Sequence, residues 1–168
     1  MTKKIVIING NGGVGKDFFT DLCGKYKKIK KISTVDKVKE AAKVLVSYNN
    51  EKDEKTRKLL SDLKILAEEY NGSIIKYLEN SIKEFKNDEN ELLFLFVREI
   101  KDIVKIKNVE KDIITLLITN KNKKFITSNI ADRDVLNYKY DYTIENTDTI
   151  EELEEKAKEF IKEIYNEQ

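Results

Sequence analysis

The stretch Ile5-Val-Ile-Ile-Asn-Gly-Asn-Gly-Gly-Val-Gly-Lys-Asp17 runs a β-branched strand straight into a glycine-rich turn that closes on Gly15 and Lys16. A turn of this composition suits phosphate. Glycines let backbone N–H groups turn inward around phosphate oxygens, the helix that follows presents its positive end, and a lysine reaches the outer phosphates. The pattern G-x-x-x-x-G-K-[ST] is met at Gly10, Gly15 and Lys16 and fails at one position, where Asp17 replaces the hydroxyl residue. A carboxylate beside a polyphosphate is repulsive unless Mg²⁺ lies between them, and Mg²⁺ takes carboxylate oxygen, or a water held by one, readily. Asp17 is therefore expected to act through Mg²⁺. Gly10, Asn11, Gly12, Gly13, Val14, Gly15 and Lys16 are expected to cradle the nucleotide phosphates.

Other readings of the turn stand beside this one. Gly10, Gly12 and Gly15 also spell G-x-G-x-x-G, and Asp36 lies 21 residues beyond Gly15, where a dinucleotide fold puts its ribose-binding acid. That reading gives no reason for a lysine after the third glycine. Gly12-Gly13-Val14-Gly15-Lys16 also resembles the loop of the partitioning ATPases, although Asn11 occupies the place of their signature lysine. A glycine turn with no ligand is the third alternative.

At 168 residues and 40% hydrophobic, the chain suits one domain, residues 1–168, with a sizeable core. Lysine plus arginine number 32 against 31 acids, so no strong net field draws it to nucleic acid or membrane. The apolar run Ile5 to Ile8 is far too short for a signal peptide or a membrane span, which makes the cytoplasm the expected location. The single cysteine, Cys23, has no intrachain partner, and the absence of histidine removes both a thiol–imidazole pair and the usual zinc set. Cys23 reads as core packing.

Along the chain, apolar runs alternate with helical periodicity. Lys4 to Ile8 is the first strand and Gly15 to about Lys27 a helix, with Phe18, Phe19, Leu22 and Tyr26 at helical spacing. Ile29 to Ser33 is a second strand, and Asp36 to Val46 a helix carrying Val38, Ala41, Ala42 and Leu45 on one face. Lys52 to Tyr70 is amphipathic, with Leu59, Leu60, Leu63 and Leu66 or Ala67 inward, and Asn71-Gly72 ends it. Ile74 to Phe85 is a fourth helix. The unbroken runs Leu92 to Val97 and Asp112 to Thr119 read as strands buried on both faces, joined through a short helix in Arg98 to Lys107. Asn120 to Tyr138 is polar and aperiodic, a lid candidate. Tyr142 to Glu145 is a last strand and Thr149 to Tyr165 a last helix, with Ile150, Leu153, Ala157, Phe160, Ile161 and Ile164 inward. The alternation implies a three-layer α/β fold with a roughly five-stranded parallel sheet.

Of the 32 cationic residues only three are arginine: Arg57, Arg98 and Arg133. Arginine grips phosphate or carboxylate with a planar fork that lysine cannot reproduce. One follows the middle strand, one sits in the mid-chain helix and one lies in the lid candidate. Phosphoryl transfer needs cationic clamps converging on donor, acceptor and the oxygens in transit. Chance retention on the surface is the alternative for all three.

These residues resemble the nucleoside monophosphate kinase branch of the P-loop kinases. The likeness points to the subgroup whose loop ends in Gly-Lys-Asp: the phage deoxynucleoside monophosphate kinases and the animal-type phosphomevalonate kinases. Gly15-Lys16-Asp17-Phe18 matches that ending, and Asp36-Lys37-Val38-Lys39-Glu40 is similar to the Asp-Pro-Leu-Lys-Glu element of the phage enzymes, with Lys37 in place of proline. Glu54 to Lys58 resembles a Glu-x-x-Arg-Lys segment, and Tyr140 to Asn146 the Asp-Trp/Tyr-x-Ile-x-Asn strand that leads to the base.

The resemblance implies a Mg²⁺- and ATP-dependent kinase acting on a small phosphorylated acceptor, most simply a nucleoside or deoxynucleoside monophosphate. It implies a helical acceptor-binding region over about 35–88 and a short lid over about 120–138. Lys16 would bridge the β- and γ-phosphates, Asp17 position Mg²⁺ and Asn146 stand beside the base. Asp36, Lys39 and Arg57 would hold the acceptor, and Arg98 and Arg133 would neutralise the transfer. Asp36, Lys39 and Glu54 also fit as helix-start or solvent-facing charges. An ATP-binding or ATP-hydrolysing regulatory module without a small acceptor is the alternative function.

Overall fold

Alternate residues of the first strand, β1 (Lys4–Asn9), enter two separate apolar clusters, Val6 and Ile8 one, Ile5 and Ile7 the other. The third strand, β3 (Leu92–Phe96), divides in the same way, Leu92 and Phe94 against Leu93 and Leu95. A strand buried on both faces needs helices above and below it. The structure, a computed structural model, describes residues 2–51, 53–124 and 134–166. With β2 (Ile29–Ser33), β4 (Ile114–Thr119) and β5 (Tyr142–Glu145), the strands form a parallel sheet in the order β2-β3-β1-β4-β5. Dinucleotide-binding folds set β2 beside β1, whereas here β3 lies between them. The G-x-G-x-x-G reading is therefore set aside.

One face of the sheet is covered by α1 (Lys16–Cys23) and, later in the chain, by a helix over Ile150–Tyr165. These helices supply Phe19, Leu22 and Cys23, and Leu153, Ala157, Phe160, Ile161 and Ile164. The rings of Phe19 and Phe160 meet edge to face at 5.8 Å. Before the opposite face is covered, the chain makes α2 (Asp36–Val46) and α3 (Glu54–Asn71). Then α4 (Ser73–Asn87) and α5 (Ile100–Val109) cover that face with Ile75, Leu78, Ile82, Phe85, Ile103 and Ile106. The helix over Ile150–Tyr165 is α6.

Several expected boundaries and faces differ. The first helix stops at Cys23 rather than near Lys27, because Gly24 and the next residues close tight turns onto Thr20, Leu22 and Cys23. Tyr26 is thereby exposed, and so is Phe18 on the same helix. Ala41, Leu45, Leu66 and Ile150 are exposed as well. The apolar side chains of α3 that were expected inside, Leu59, Leu60, Leu63 and Ala67, are half-buried, and the one residue of that helix buried outright is Lys64. An amphipathic stripe shows which side of a helix is apolar, not how completely a neighbour covers it. Strand β3 ends at Phe96 although Val97 is buried, and β4 begins at Ile114, two residues later than the apolar run suggested. The end of α3 falls at Gly72 as expected, with φ of 69°.

The edge of the sheet away from the loop is tied by polar bonds. Lys3 donates to the carbonyls of Phe85 (2.8 Å) and Asp88 (2.6 Å), and the Asp88 carboxylate lies 3.2 Å from Lys30 Nζ. Burial pushes the Asp88 carboxyl up, but hydrogen bonds from Asn90 and Lys30 outweigh it and hold it at about 2. A folded-state value below the unfolded one contributes stability above about pH 4 and loses it as pH falls towards 2. Asp88→Asn is expected to lower Tm by about 2 °C at pH 7, with the two melting curves converging near pH 2 in a calorimetric series.

Candidate functional site

The loop between β1 and α1 opens at the carboxyl edge of the sheet, where parallel α/β folds bind ligands. Its shape depends on three glycines with positive φ: Gly10 at 147°, Gly13 at 80° and Gly15 at 96°. A Cβ on Gly10 would stand 2.4 Å from the Ile118 carbonyl oxygen, and one on Gly15 would stand 2.5 Å from the Asn146 side-chain nitrogen. A side chain would collide with the backbone of β4 at the first position and with Asn146 at the second. The first turn of α1 has no side-chain cap at Gly15, and a helix N-terminus of this kind suits an anion.

Lys16 lies across this cradle, its Nζ donating to the carbonyls of Gly10 (2.6 Å) and Asn11 (2.9 Å). Asp17 is exposed in the first turn of α1. Among the described residues no group of three or more His, Cys, Asp or Glu is placed to hold a metal. A cation at Asp17 would therefore be one that accepts a single protein carboxylate and completes its shell with phosphate oxygens and water, which fits Mg²⁺. Loop and donor set thus suit a Mg²⁺–polyphosphate.

Asn146 reaches the loop from the end of β5, its Nδ2 donating 2.9 Å to the Val14 carbonyl. Its own Oδ1 accepts from Asp148 N, and the Asp148 carboxylate accepts from the side chains of Asn120 (2.6 Å) and Asn122 (3.1 Å). A chain of hydrogen bonds thus joins the phosphate loop to the segment that follows β4. A cavity of about 140 Å³ opens there, lined by Phe18, Asn146, Asp148, Thr149, Ile150 and Leu153. Phe18, expected in the core, is instead an aromatic wall of that cavity.

Asn9 was not singled out in the sequence. It is fully buried, its Oδ1 accepts from Gly10 N at 2.8 Å, and its Nδ2 donates 2.9 Å each to the Arg98 carbonyl and the Tyr140 hydroxyl. Burial raises the Tyr140 hydroxyl to about 12, so it stays protonated and donates to Val135 O at 2.8 Å. The available signal was a polar residue ending an apolar strand.

Arg98 lies two residues past the end of β3, the strand beside β1, at the same edge as the loop. Asp36 begins α2 after β2, and its carboxylate accepts from Ser33 N (2.7 Å) and the Tyr77 hydroxyl (3.3 Å). These bonds tie the start of α2 to the end of β2 and to α4. Lys39 is half-buried one turn further on, and Arg57 is exposed near the start of α3. Arg133 and the middle of the expected lid lie outside the described residues, as 125–133 are not among them. Burial pushes the Cys23 thiol up to about 12, so the core reading of that residue holds.

No family model matches the sequence, and no curated protein matches it. Solved structures do. Dephospho-CoA kinase from Campylobacter jejuni is similar at 13% identity with a TM-score of 0.56, over 97% of this chain and 98% of that one. TT1252 from Thermus thermophilus is similar at 17% identity and a TM-score of 0.53, over 97% and 98%. Shikimate kinase from Aquifex aeolicus is similar at 15% identity and a TM-score of 0.53, over 96% of each. Likeness at this level establishes the fold. The chain has the three-layer α/β fold of the P-loop kinases, with a five-stranded parallel sheet.

The glycines should differ in cost. Gly10→Ala meets both a backbone oxygen and an unfavourable φ, and is expected to lose about 3 kcal/mol in urea denaturation. Gly13→Ala has open space around its new methyl group. It should lose only about 1 kcal/mol, the cost of the left-handed backbone alone.

Proposed function

We propose that this chain is a Mg²⁺- and ATP-dependent kinase that transfers the γ-phosphoryl group to a small phosphorylated acceptor, most simply a nucleoside or deoxynucleoside monophosphate. One observation carries the reading. A glycine loop with positive φ at Gly10, Gly13 and Gly15, backed by a helix N-terminus without a side-chain cap, opens at the carboxyl edge of the sheet, where Arg98 lies two residues past the end of the adjacent strand. Phosphoryl transfer consists largely of positioning and charge stabilisation, and this edge collects the groups for both.

In this reading the loop amides and Lys16 hold the β- and γ-phosphates, and the cavity walled by Phe18 and Asn146 takes the base. Asp17 holds Mg²⁺, directly or through water; the bound ion would neutralise charge between phosphate oxygens. Arg98 and Arg133 bear on the group in transit. Asp36, Lys39 and Arg57 serve the acceptor, on helices that have no part in the phosphate loop. The acceptor helices favour a kinase over a module that only binds nucleotide. The dephospho-CoA and shikimate kinases that share the fold act on small molecules, as their names state. A small-molecule acceptor and a cytoplasmic setting belong to the same proposal. No described helix is long and apolar enough to cross a membrane.

The test is transfer from ATP with Mg²⁺ to a panel of nucleoside and deoxynucleoside monophosphates. Turnover of none of them would overturn the acceptor assignment. Saturating ATP should raise the wild-type Tm by roughly 5–10 °C, and Lys16→Ala should abolish that rise in a thermal-shift assay. Asp17→Ala is expected to lower kcat about 100-fold, with added Mg²⁺ failing to restore it. For Arg57→Ala, the ATP-dependent shift should persist while acceptor KM rises about 10- to 100-fold in steady-state kinetics.

A further inference from the structure

Among the described residues, Lys64 and Asp102 are the only buried charged side chains. The Lys64 ammonium is paired with two carboxylates, Glu99 just before α5 and Asp102 in its first turn, the latter at 3.0 Å. Asp102 is 1% exposed and its Oδ1 has no hydrogen-bond partner. A buried ion cluster of this kind is a poor source of net stability, since apolar residues of similar volume often serve as well. Its contribution is a directional constraint, which non-directional apolar contact lacks.

The constraint acts at a telling place. Glu99 follows Arg98, whose carbonyl is held by Asn9 at the start of the phosphate loop. The Arg98 segment is therefore fastened to the loop on one side and to α3 on the other. On α3, residues 57, 61, 64 and 68 form one stripe, at spacings of four, three and four. Lys64 meets Glu99 and Asp102, and Glu68 meets Lys105 at 3.0 Å, so α3 and α5 run beside each other in the same sense. Arg57 precedes Lys64 by two turns, about 10 Å along the axis. It thus stands beyond the N-terminus of α5, the end that springs from the carboxyl edge of the sheet.

We propose that Lys64 is a positioning residue for the acceptor side, fixing the separation of Arg57 and Arg98 by pinning α3 to the Glu99–Asp102 turn. The proposal rests on the kinase reading above for its functional meaning. With an apolar residue at position 64, α3 would keep its Glu68 bonds to Lys105 and to the start of α4, but the part of α3 before residue 64 would lose its hold on the Glu99–Asp102 turn, and Arg57 would shift with it.

The test compares Lys64→Met, Lys64→Arg and Glu99→Gln, in steady-state kinetics with the best nucleoside monophosphate and in amide hydrogen exchange of the ligand-free chain. Lys64→Met should raise acceptor KM at least 10-fold and lower kcat, with KM for ATP within twofold of wild type. Lys64→Arg should recover most of the loss. Glu99→Gln, which leaves Lys64 paired with Asp102, should raise acceptor KM about threefold and carries the test if Lys64→Met does not fold. Exchange in Lys64→Met should quicken at least 10-fold over residues 55–61 and 98–103, while β1, β3 and β4 keep wild-type protection. Unchanged acceptor KM in folded Lys64→Met, equal losses for ATP and acceptor, or Lys64→Arg behaving as Lys64→Met would each overturn the proposal. Should wild type phosphorylate no acceptor, the kinase reading fails separately. Exchange then decides the matter: quickening confined to the two segments upholds the pin, and uniform quickening across the sheet overturns it.

Discussion

Asn9 is the point on which the carboxyl edge of this sheet depends. It ends β1 where the alternation of apolar residues stops, and its amide satisfies three separate groups: the first loop amide, the carbonyl of Arg98 and the hydroxyl of Tyr140. Each belongs to a different part of the chain. A buried amide of this kind is costly if any of its bonds is lost, because the interior offers no water in exchange. The loop, the turn after β3 and the segment leading to β5 are consequently held to one geometry by a single side chain.

The layer beyond the sheet obeys a different rule. The helices α1, α4, α5 and α6 reach the core through apolar contact, whereas α3 meets α5 through Lys64 and Glu68. Glu68 also accepts from the amides of Ile74 and Ile75, so the same carboxylate caps the start of α4. Helices held by ion pairs and hydrogen bonds have discrete seats, while those held by grease have broad ones. The α2–α3 region is thus stiff in register and comparatively sparing of core, which explains the many exposed apolar side chains on these two helices.

The fold was readable in the sequence because both-face burial leaves unbroken apolar runs such as Leu92 to Val97, and because glycine stops such as Gly72 act locally. Asp36–Val46 and Tyr142–Glu145 were read to the residue. Phe18, Tyr26, Leu45, Leu66 and Ile150 were misplaced for one shared reason: periodicity identifies an apolar stripe, but its cover comes from a distant part of the chain. The shape of the glycine loop was legible, since the residues that set it are consecutive. Asn9, Lys64 and the Asn120–Asp148 link were not, since each gains its meaning from a partner between 26 and 131 positions away. Strand order was equally hidden, and it alone separated the kinase fold from a dinucleotide-binding one.

The seat of Lys16 carries an energetic corollary. With its ammonium on the carbonyls of Gly10 and Asn11, the loop has an internal counter-charge whenever phosphate is away. In the kinase reading, an arriving nucleotide would therefore exchange one set of acceptors for another rather than meet a bare cation. The gain from that lysine is a difference between two hydrogen-bonded states, smaller than its full attraction to phosphate. In the kinase reading the same difference would govern departure, since a lysine with a place of its own to return to loses less when the phosphate leaves.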